Sequence, residues 1–305
     1  MKIAADRYAV AIAYFLIYVV WGSTYYFIGV ALEGFPTFLL GALRFSVAGA
    51  VLLLLCHIRG EKVFRPALVR RSAVSGIVLL FVDMAVIMLA QRYVSSSLVA
   101  IVASSIAIWI TLFDVPMWQR NFRHPSTLGG LLLGVAGVAM LYMEQLDGGN
   151  TLSRHGEYGI LILIAGCISW SLGTLYAKYR SSTVEEVNGF AGSAWQMLFA
   201  SLMFWLCFGL SGEWSATNLS ETSGTAWWVL FYLIVFGSLL AYSAYVWLLK
   251  VRPATEVATH AYVNPVVAVI IGGIGGEEIT MIQLAGLAVI LASVMLVNRK
   301  DKNYA

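Results

Sequence analysis

Apolar residues fall along this chain in runs of roughly 18–23, separated by short polar breaks, and each run is long enough to cross ~30 Å of hydrocarbon as a helix. The pattern predicts ten helices, over residues 8–30, 36–57, 72–91, 96–118, 126–143, 157–178, 187–209, 226–248, 254–275 and 279–297. Gly34-Phe35-Pro36, Arg65-Pro66, His124-Pro125, Gly148-Gly149-Asn150, Ser211-Gly212 and Arg252-Pro253 supply the stops and starts. Only Gly276-Glu277-Glu278 parts the last two runs. The longest connections, 58–71, 144–156 and 210–225, are too short to bury a core of their own. Lys2 and Arg7 precede an apolar stretch without a small-residue cleavage motif, which reads as a retained first span rather than a signal peptide.

Composition agrees with the pattern. The chain is 60% hydrophobic and 11% charged, with a mean hydropathy of +0.82. Soluble domains carry about 25% charged residues. So little charge cannot coat a water-facing surface, which excludes a soluble enzyme and a nucleic-acid binder. Cys56, Cys167 and Cys207 all lie inside apolar runs, which excludes a secreted disulfide scaffold. The expected fold class is an all-α polytopic membrane protein whose surroundings are the lipid bilayer.

The net charge of +3 matters through its distribution. With the N-terminus in the cytoplasm, sixteen of the nineteen Lys and Arg residues fall on the inner side, including Arg59, Lys62, Arg65, Arg70 and Arg71 in one loop. Arg92 and Arg154 lie outside, and Arg44 falls within the second span. The expected location is the inner (plasma) membrane, with both termini on its cytoplasmic side.

The two halves resemble each other. Trp21-Gly22-Ser23-Thr24-Tyr25 is echoed by Trp170-Ser171-Leu172-Gly173-Thr174-Leu175-Tyr176. Val94-Ser95-Ser96-Ser97-Leu98-Val99-Ala100 is echoed by Val251-Arg252-Pro253-Ala254-Thr255-Glu256-Val257-Ala258. Each half holds five helices, an odd number, so the second enters the membrane in the opposite sense. The expected units are 1–148 and 149–305, an inverted repeat of the kind found in secondary transporters.

Several stretches resemble the EamA-type family of the drug/metabolite transporter superfamily: Tyr18-Val19-Val20-Trp21-Gly22-Ser23-Thr24-Tyr25, Ala42-Leu43-Arg44-Phe45, Ala90-Gln91-Arg92-Tyr93-Val94, Ser169-Trp170-Ser171-Leu172-Gly173-Thr174 and Ala261-Tyr262-Val263-Asn264-Pro265-Val266-Val267-Ala268. Gly275-Gly276-Glu277-Glu278 followed by Gln283-Leu284-Ala285-Gly286 is also similar. The resemblance implies two inverted five-helix repeats, alternating access, and export of small metabolites, often amino acids. It also implies a central cavity lined by the first, third, fourth, sixth, eighth and ninth helices. Many members carry a proline in the fourth helix matching Pro265; here that position is Ala107.

Charge inside a bilayer is costly, so each buried ionisable group needs a reason. Asp83, about eleven residues into the predicted third helix, should lie roughly 16 Å along it, near the midplane. There it would bind a substrate ammonium or carry a coupling proton; the alternative is a cap or a pair with a neighbouring helix. Arg44 would attract a carboxylate or, more in keeping with its place on the second helix, pair with an acid near the outer surface. Trp21, Trp109 and Trp170 reach mid-depth, where an indole N–H wants a partner and an aromatic pocket would suit flat or cationic substrates. They would otherwise fill space between helices. His260 and Asn264 are four apart and share a face, with Tyr262 pointing away. His260 and Asn264 are substrate-binding candidates, and His260 is also a second coupling candidate; the alternative for Asn264 is to satisfy the carbonyl freed by Pro265. Tyr242, Ser243, Tyr245 and Gln196 are further candidates for the cavity. The glycines at 130, 134 and 137, and those at 272, 273, 275 and 276, read as packing positions. No metal-ligand cluster, nucleophilic triad or cofactor motif is present in the sequence.

The expected function is export of a small amphipathic or aromatic metabolite, with protons as a candidate coupling ion, by a monomer or homodimer that is not an enzyme. A ligand-binding membrane sensor is the alternative.

Overall fold

The computed structural model describes residues 7–123, 125–146, 155–180, 189–252, 257 and 259–298. Lys2, His124, Gly148-Gly149-Asn150, Arg154, Pro253 to Glu256, Ala258, Arg299, Lys300 and Lys302 lie outside the described residues, as do the side chains of Thr174, Tyr176, Lys178, Arg180 and Lys250. Among the described residues all regular structure is helical. Eight helices are long and apolar enough to cross a membrane: α1 (Arg7–Leu32), α2 (Thr37–Ile58), α3 (Pro66–Ala90), α4 (Ser96–Phe113), α5 (Pro125–Leu146), α6 (Gly156–Arg180), α7 (Gly189–Leu210) and α8 (Gly224–Leu248). The apolar helices α9 (His260–Ile274) and α10 (Met281–Asn298) are shorter. The chain is a multi-pass membrane protein.

Two boundaries and the interior of one helix differ from the expectation, each for a local reason. Helix α3 starts at Pro66, six residues before the apolar run. Proline is tolerated at a first helical turn, and the first turns bury only Leu68 and Ser72, so hydropathy does not register them. Helix α4 ends at Phe113 and not at 118. Asp114 leaves helical geometry ahead of Pro116, and a 3₁₀ turn (Val115–Met117) and a short helix (Trp118–Asn121) complete the apolar run. Helix α4 is also interrupted although it lacks the family proline. Between Ala103 and Ile106 the backbone tightens at Ser104-Ser105, where the Ser104 hydroxyl donates to the Ile101 carbonyl at 2.6 Å.

The most extensive helix contacts are α2 against α7 and α5 against α10. Helix α9 lies against both α1 and α4, and α6 against both α3 and α4. The pairs α1–α8, α2–α8 and α3–α7 complete the bundle. In the α5–α10 seam a Cβ at Gly134 would collide with Ile108 and with the Ser293 hydroxyl, so glycine sets the helix separation there.

Loops gather at two ends. At the α1–α2 end, Thr222 donates to the Gly34 carbonyl at 3.0 Å, Arg92 Nε donates to Thr37 at 2.8 Å, and Glu277 binds the start of α4. At the opposite end Trp195 donates to the Val63 carbonyl at 2.8 Å, and the Tyr18 and Thr259 hydroxyls share a hydrogen bond. Successive helices therefore run in opposite directions.

Candidate binding site along α1

Helices α1, α3 and α8 each contain a π-helical segment, over Leu16–Val20, Gly76–Phe81 and Leu233–Ala241. Each segment ends within two residues of a predicted site residue: Trp21, Asp83 and Tyr242. An inserted residue in a helix widens its turn and redirects the side chains that follow, which is why π segments recur at functional sites.

Four of the predicted residues come together. Trp21 contacts Tyr242, Tyr245 and His260, with ring centroids at 6.2, 5.3 and 5.4 Å. Tyr245 in turn lies 5.6 Å from His260. A directed chain holds Tyr242: its hydroxyl donates to Gln196 Oε1 at 2.6 Å, Gln196 Nε2 donates to Ser75 at 2.9 Å, and Ser75 donates to the Arg71 carbonyl at 3.0 Å. His260 Nδ1 lies 2.8 Å from the Val257 carbonyl. A carbonyl can only accept, so the neutral ring carries its proton on Nδ1 and keeps Nε2 basic.

Tyr25 stands four residues after Trp21 and so projects from the same side of α1, one turn nearer the α1–α2 end. It and Cys167 of α6 lie within electrostatic range of Asp83. Asp83 is seven residues from the end of α3 at Ala90, about 10 Å, and about 25 Å from Pro66. Along α3, Asp83 lies nearer the α1–α2 end, and the residues added to the predicted helix, Pro66 to Arg71, extend the opposite end. Asp83 is half-buried, and its carboxylate accepts no hydrogen bond and forms no ion pair among the described residues. Sealed polar atoms without partners occur among the described residues at Glu61, Gln91, Glu144, Gln145 and Gln283, and Asp83 is not one of them. Its oxygens consequently keep some accessible surface. The same holds for the indole N–H groups of Trp21 and Trp170.

Other predicted residues lie apart from this cluster or have structural roles. Asn264 is buried; with its amide nitrogen turned towards α1 it donates to the carbonyls of Ile17 and Tyr18 at 2.9 and 3.1 Å, and to His260 at 3.1 Å. It therefore satisfies the π turn of α1 and not the Ala261 carbonyl freed by Pro265, a correction to the expected role. Trp109 stacks on Phe113 of its own helix at 6.2 Å and donates to Ser105 at 3.2 Å. Trp170 is half-buried on α6, without a ring contact among the described residues. Ser243 is half-buried beside Tyr242, and Tyr262 packs into the central hydrophobic core. Arg44 is buried, and no acid pairs with it among the described residues; its Nε donates to Ser238 at 2.9 Å instead. Sequence reasoning passed over Tyr25 and Cys167. The Trp21–Tyr25 spacing could have found the first; nothing in the sequence marks the second.

This bundle geometry has relatives. The model of the EamA-like transporter family matches residues 9–143 and again 157–299. The chain belongs to that family. Among its relatives, the Uncharacterized inner membrane transporter YedA of Escherichia coli (strain K12) is 33% identical over 93% of this chain and 89% of its own length. The Uncharacterized transporter YvbV of Bacillus subtilis (strain 168) is 24% identical over 99% of this chain and 94% of its own. A solved structure, titled only as a crystal structure of a protein, shares the fold with a TM-score of 0.62 at 19% identity, over 96% of this chain and 97% of that one. This EamA-like protein is a membrane transporter. Among its described residues no three His, Cys, Asp or Glu side chains gather as a metal site would require.

Proposed function

We propose that this transporter exports small metabolites, amino acids or related amphipathic and aromatic compounds, across the inner membrane by alternating access between two inverted five-helix repeats, 1–148 and 149–305. The observation that carries the reading is the meeting of Trp21, Tyr242, Tyr245 and His260, with Tyr25 one turn further along α1 and within electrostatic range of the unpaired carboxylate of Asp83. An aromatic wall beside a lone carboxylate suits a substrate with a flat apolar body and a cationic group. Asp83 and His260 Nε2 are the groups that would exchange protons. No step needs a cofactor.

The packing supports the repeat. If every helix is exchanged for the one five places away, α2–α7, α5–α10 and α4–α9 map onto themselves, while α3–α6 becomes α8–α1 and α4–α6 becomes α9–α1. The two separate family matches point the same way. With both termini in the cytoplasm, the α1–α2 end faces outward and Asp83 lies in the outer half of the membrane.

Counterflow in proteoliposomes tests the proposal, with labelled amino acids, aromatic compounds and cationic dyes, with and without an imposed pH gradient. Accelerated exchange of one of these compounds is expected. Specific binding in detergent without exchange would overturn transport in favour of a sensor.

A further inference from the structure

Among the described residues, Asp83 and Arg44 both lie in the outer half of this bundle without a counter-ion. Tyr25, Asp83 and Arg44 each stand seven residues from the α1–α2 end of their own helices, a common level about 10 Å in. Arg44 reaches from α2 into the junction of α1, α3 and α8. Its Nε donates to Ser238, Nη1 lies 3.9 Å from Met84 Sδ, and the guanidinium carbon sits 5.0 Å from the Phe45 ring centre. Met84 is the residue after Asp83. Room for the guanidinium depends on Gly237, where a Cβ would lie 3.1 Å from Nη2 and 3.0 Å from Thr24. Among the described residues, a hydroxyl and a thioether are thus the only hydrogen-bond acceptors for a planar cation with five N–H donors. Nη2 donates to nothing and is not among the sealed atoms, so it too keeps some accessible surface.

A guanidinium presents a fixed fork that matches a carboxylate, which an ammonium-seeking site has no use for. The two charges are not close enough to pair with each other: no ion pair joins them, and Met84 stands beside Arg44 in Asp83's place. We infer that Arg44 is the substrate's anion anchor, and that together with Asp83 it selects molecules carrying both a cationic and an anionic group over those carrying one. The inference rests on the proposed reading of Asp83 as the cation acceptor. It gives the site a polarity, with the ammonium towards α3 and α6 and the carboxylate towards α2 and α8.

Three probes of one shape separate the charges: L-phenylalanine, phenethylamine, which lacks the carboxylate, and 3-phenylpropanoate, which lacks the ammonium. Their affinities for the purified full chain are read by titration calorimetry in detergent. The wild type should bind phenylalanine about tenfold or more tighter than either analogue. Arg44→Gln should weaken phenylalanine by about tenfold while leaving phenethylamine within about twofold. Asp83→Asn should weaken phenylalanine and phenethylamine together and spare 3-phenylpropanoate. The ratio between ligands is independent of how much variant protein folds, and Arg44→Lys, which keeps the charge but not the fork, should fall between wild type and Arg44→Gln. Equal loss of all three ligands in Arg44→Gln would make Arg44 a structural residue and overturn the inference, leaving the export reading intact. Wild-type binding of phenethylamine as tight as that of phenylalanine would do the same. Absence of exchange in the liposome assay, with the binding ratios as stated, would overturn export and keep the anion anchor.

Discussion

Glu277 should be the most sensitive polar residue at the α1–α2 end. Its Oε1 accepts from the backbone N–H of Ser96 at 3.0 Å and from the Ser96 hydroxyl; its Oε2 accepts from the N–H of Ser97 at 3.1 Å and from the Ser97 hydroxyl. Two N–H groups that α4 cannot satisfy internally are thus met by a carboxylate carried in from the α9–α10 loop, where the helix dipole also favours negative charge. Glu277→Gln retains one oxygen for the Ser96 pair, but its amide nitrogen then faces the Ser97 N–H, donor against donor. A buried N–H left unmet costs about 1–3 kcal/mol, and the lost charge at the helix start roughly 0.3–1 kcal/mol more. The sum is about 1.3–4 kcal/mol. At the 2–4 °C per kcal/mol typical of chains somewhat shorter than this one, the melting temperature should fall by about 3–16 °C in detergent.

Gly272→Ala attacks the same contact from the other side. A Cβ at Gly272 would collide with the Ser97 hydroxyl and lie 2.5 Å from Glu277 Oε2, so one of them must move. Its melting temperature should fall similarly, and combining it with Glu277→Gln should cost less than the two separate losses added together, because both remove one interaction. Gly129→Ala, where nothing lies within 4 Å of the added carbon, is the control. A Glu277→Gln protein melting within about 1 °C of the wild type would refute the reasoning, since it would mean that water satisfies these groups equally well.

Ammonium binding at Asp83 needs the ionised carboxylate, so acid should weaken phenethylamine binding in the wild type and do so less in Asp83→Asn, where His260 still titrates; calorimetry across a pH series reads the difference. Trp21→Ala should weaken aromatic ligands by about tenfold and Trp21→Phe by less than about threefold, because the phenyl ring keeps most of the contact with Tyr245 and His260. Equal effects of the two would remove Trp21 from the site. Gly134→Val should lower the melting temperature sharply, since the added carbons meet Ile108 and Ser293 in the α5–α10 seam.

The fold was legible because a bilayer asks for one thing, long apolar helices, and hydropathy measures that directly. Where the pattern misplaced a boundary, the cause was local chemistry outside its reach. The first turns of α3 are too polar to score, and Asp114-Val115-Pro116 ends α4 inside an apolar run. The break at Ser104-Ser105 shows the same limit from the other side. The position matching the family proline is Ala107, yet the helix is interrupted without one, where the Ser104 hydroxyl bonds back to the Ile101 carbonyl.

The site was legible only in part, since spacing along one helix says which residues share a face but not what that face meets. Trp21, Tyr242, Tyr245 and His260 could be proposed one by one; that they form a single wall depends on π segments in α1 and α8, and hydrophobic period does not reveal these. Arg44 shows what the sequence withholds. A lone arginine in a span suggested an acidic partner at the outer surface, the ordinary remedy for buried charge. The structure instead gives it a serine, a methionine and the space beside a glycine, at the level of an equally unpartnered aspartate. Neither charge is neutralised by the protein, so each would cost stability in an empty site. A ligand carrying both opposite charges would relieve both costs at once, which gives the empty transporter a physical reason to prefer such a molecule over one with a single charge.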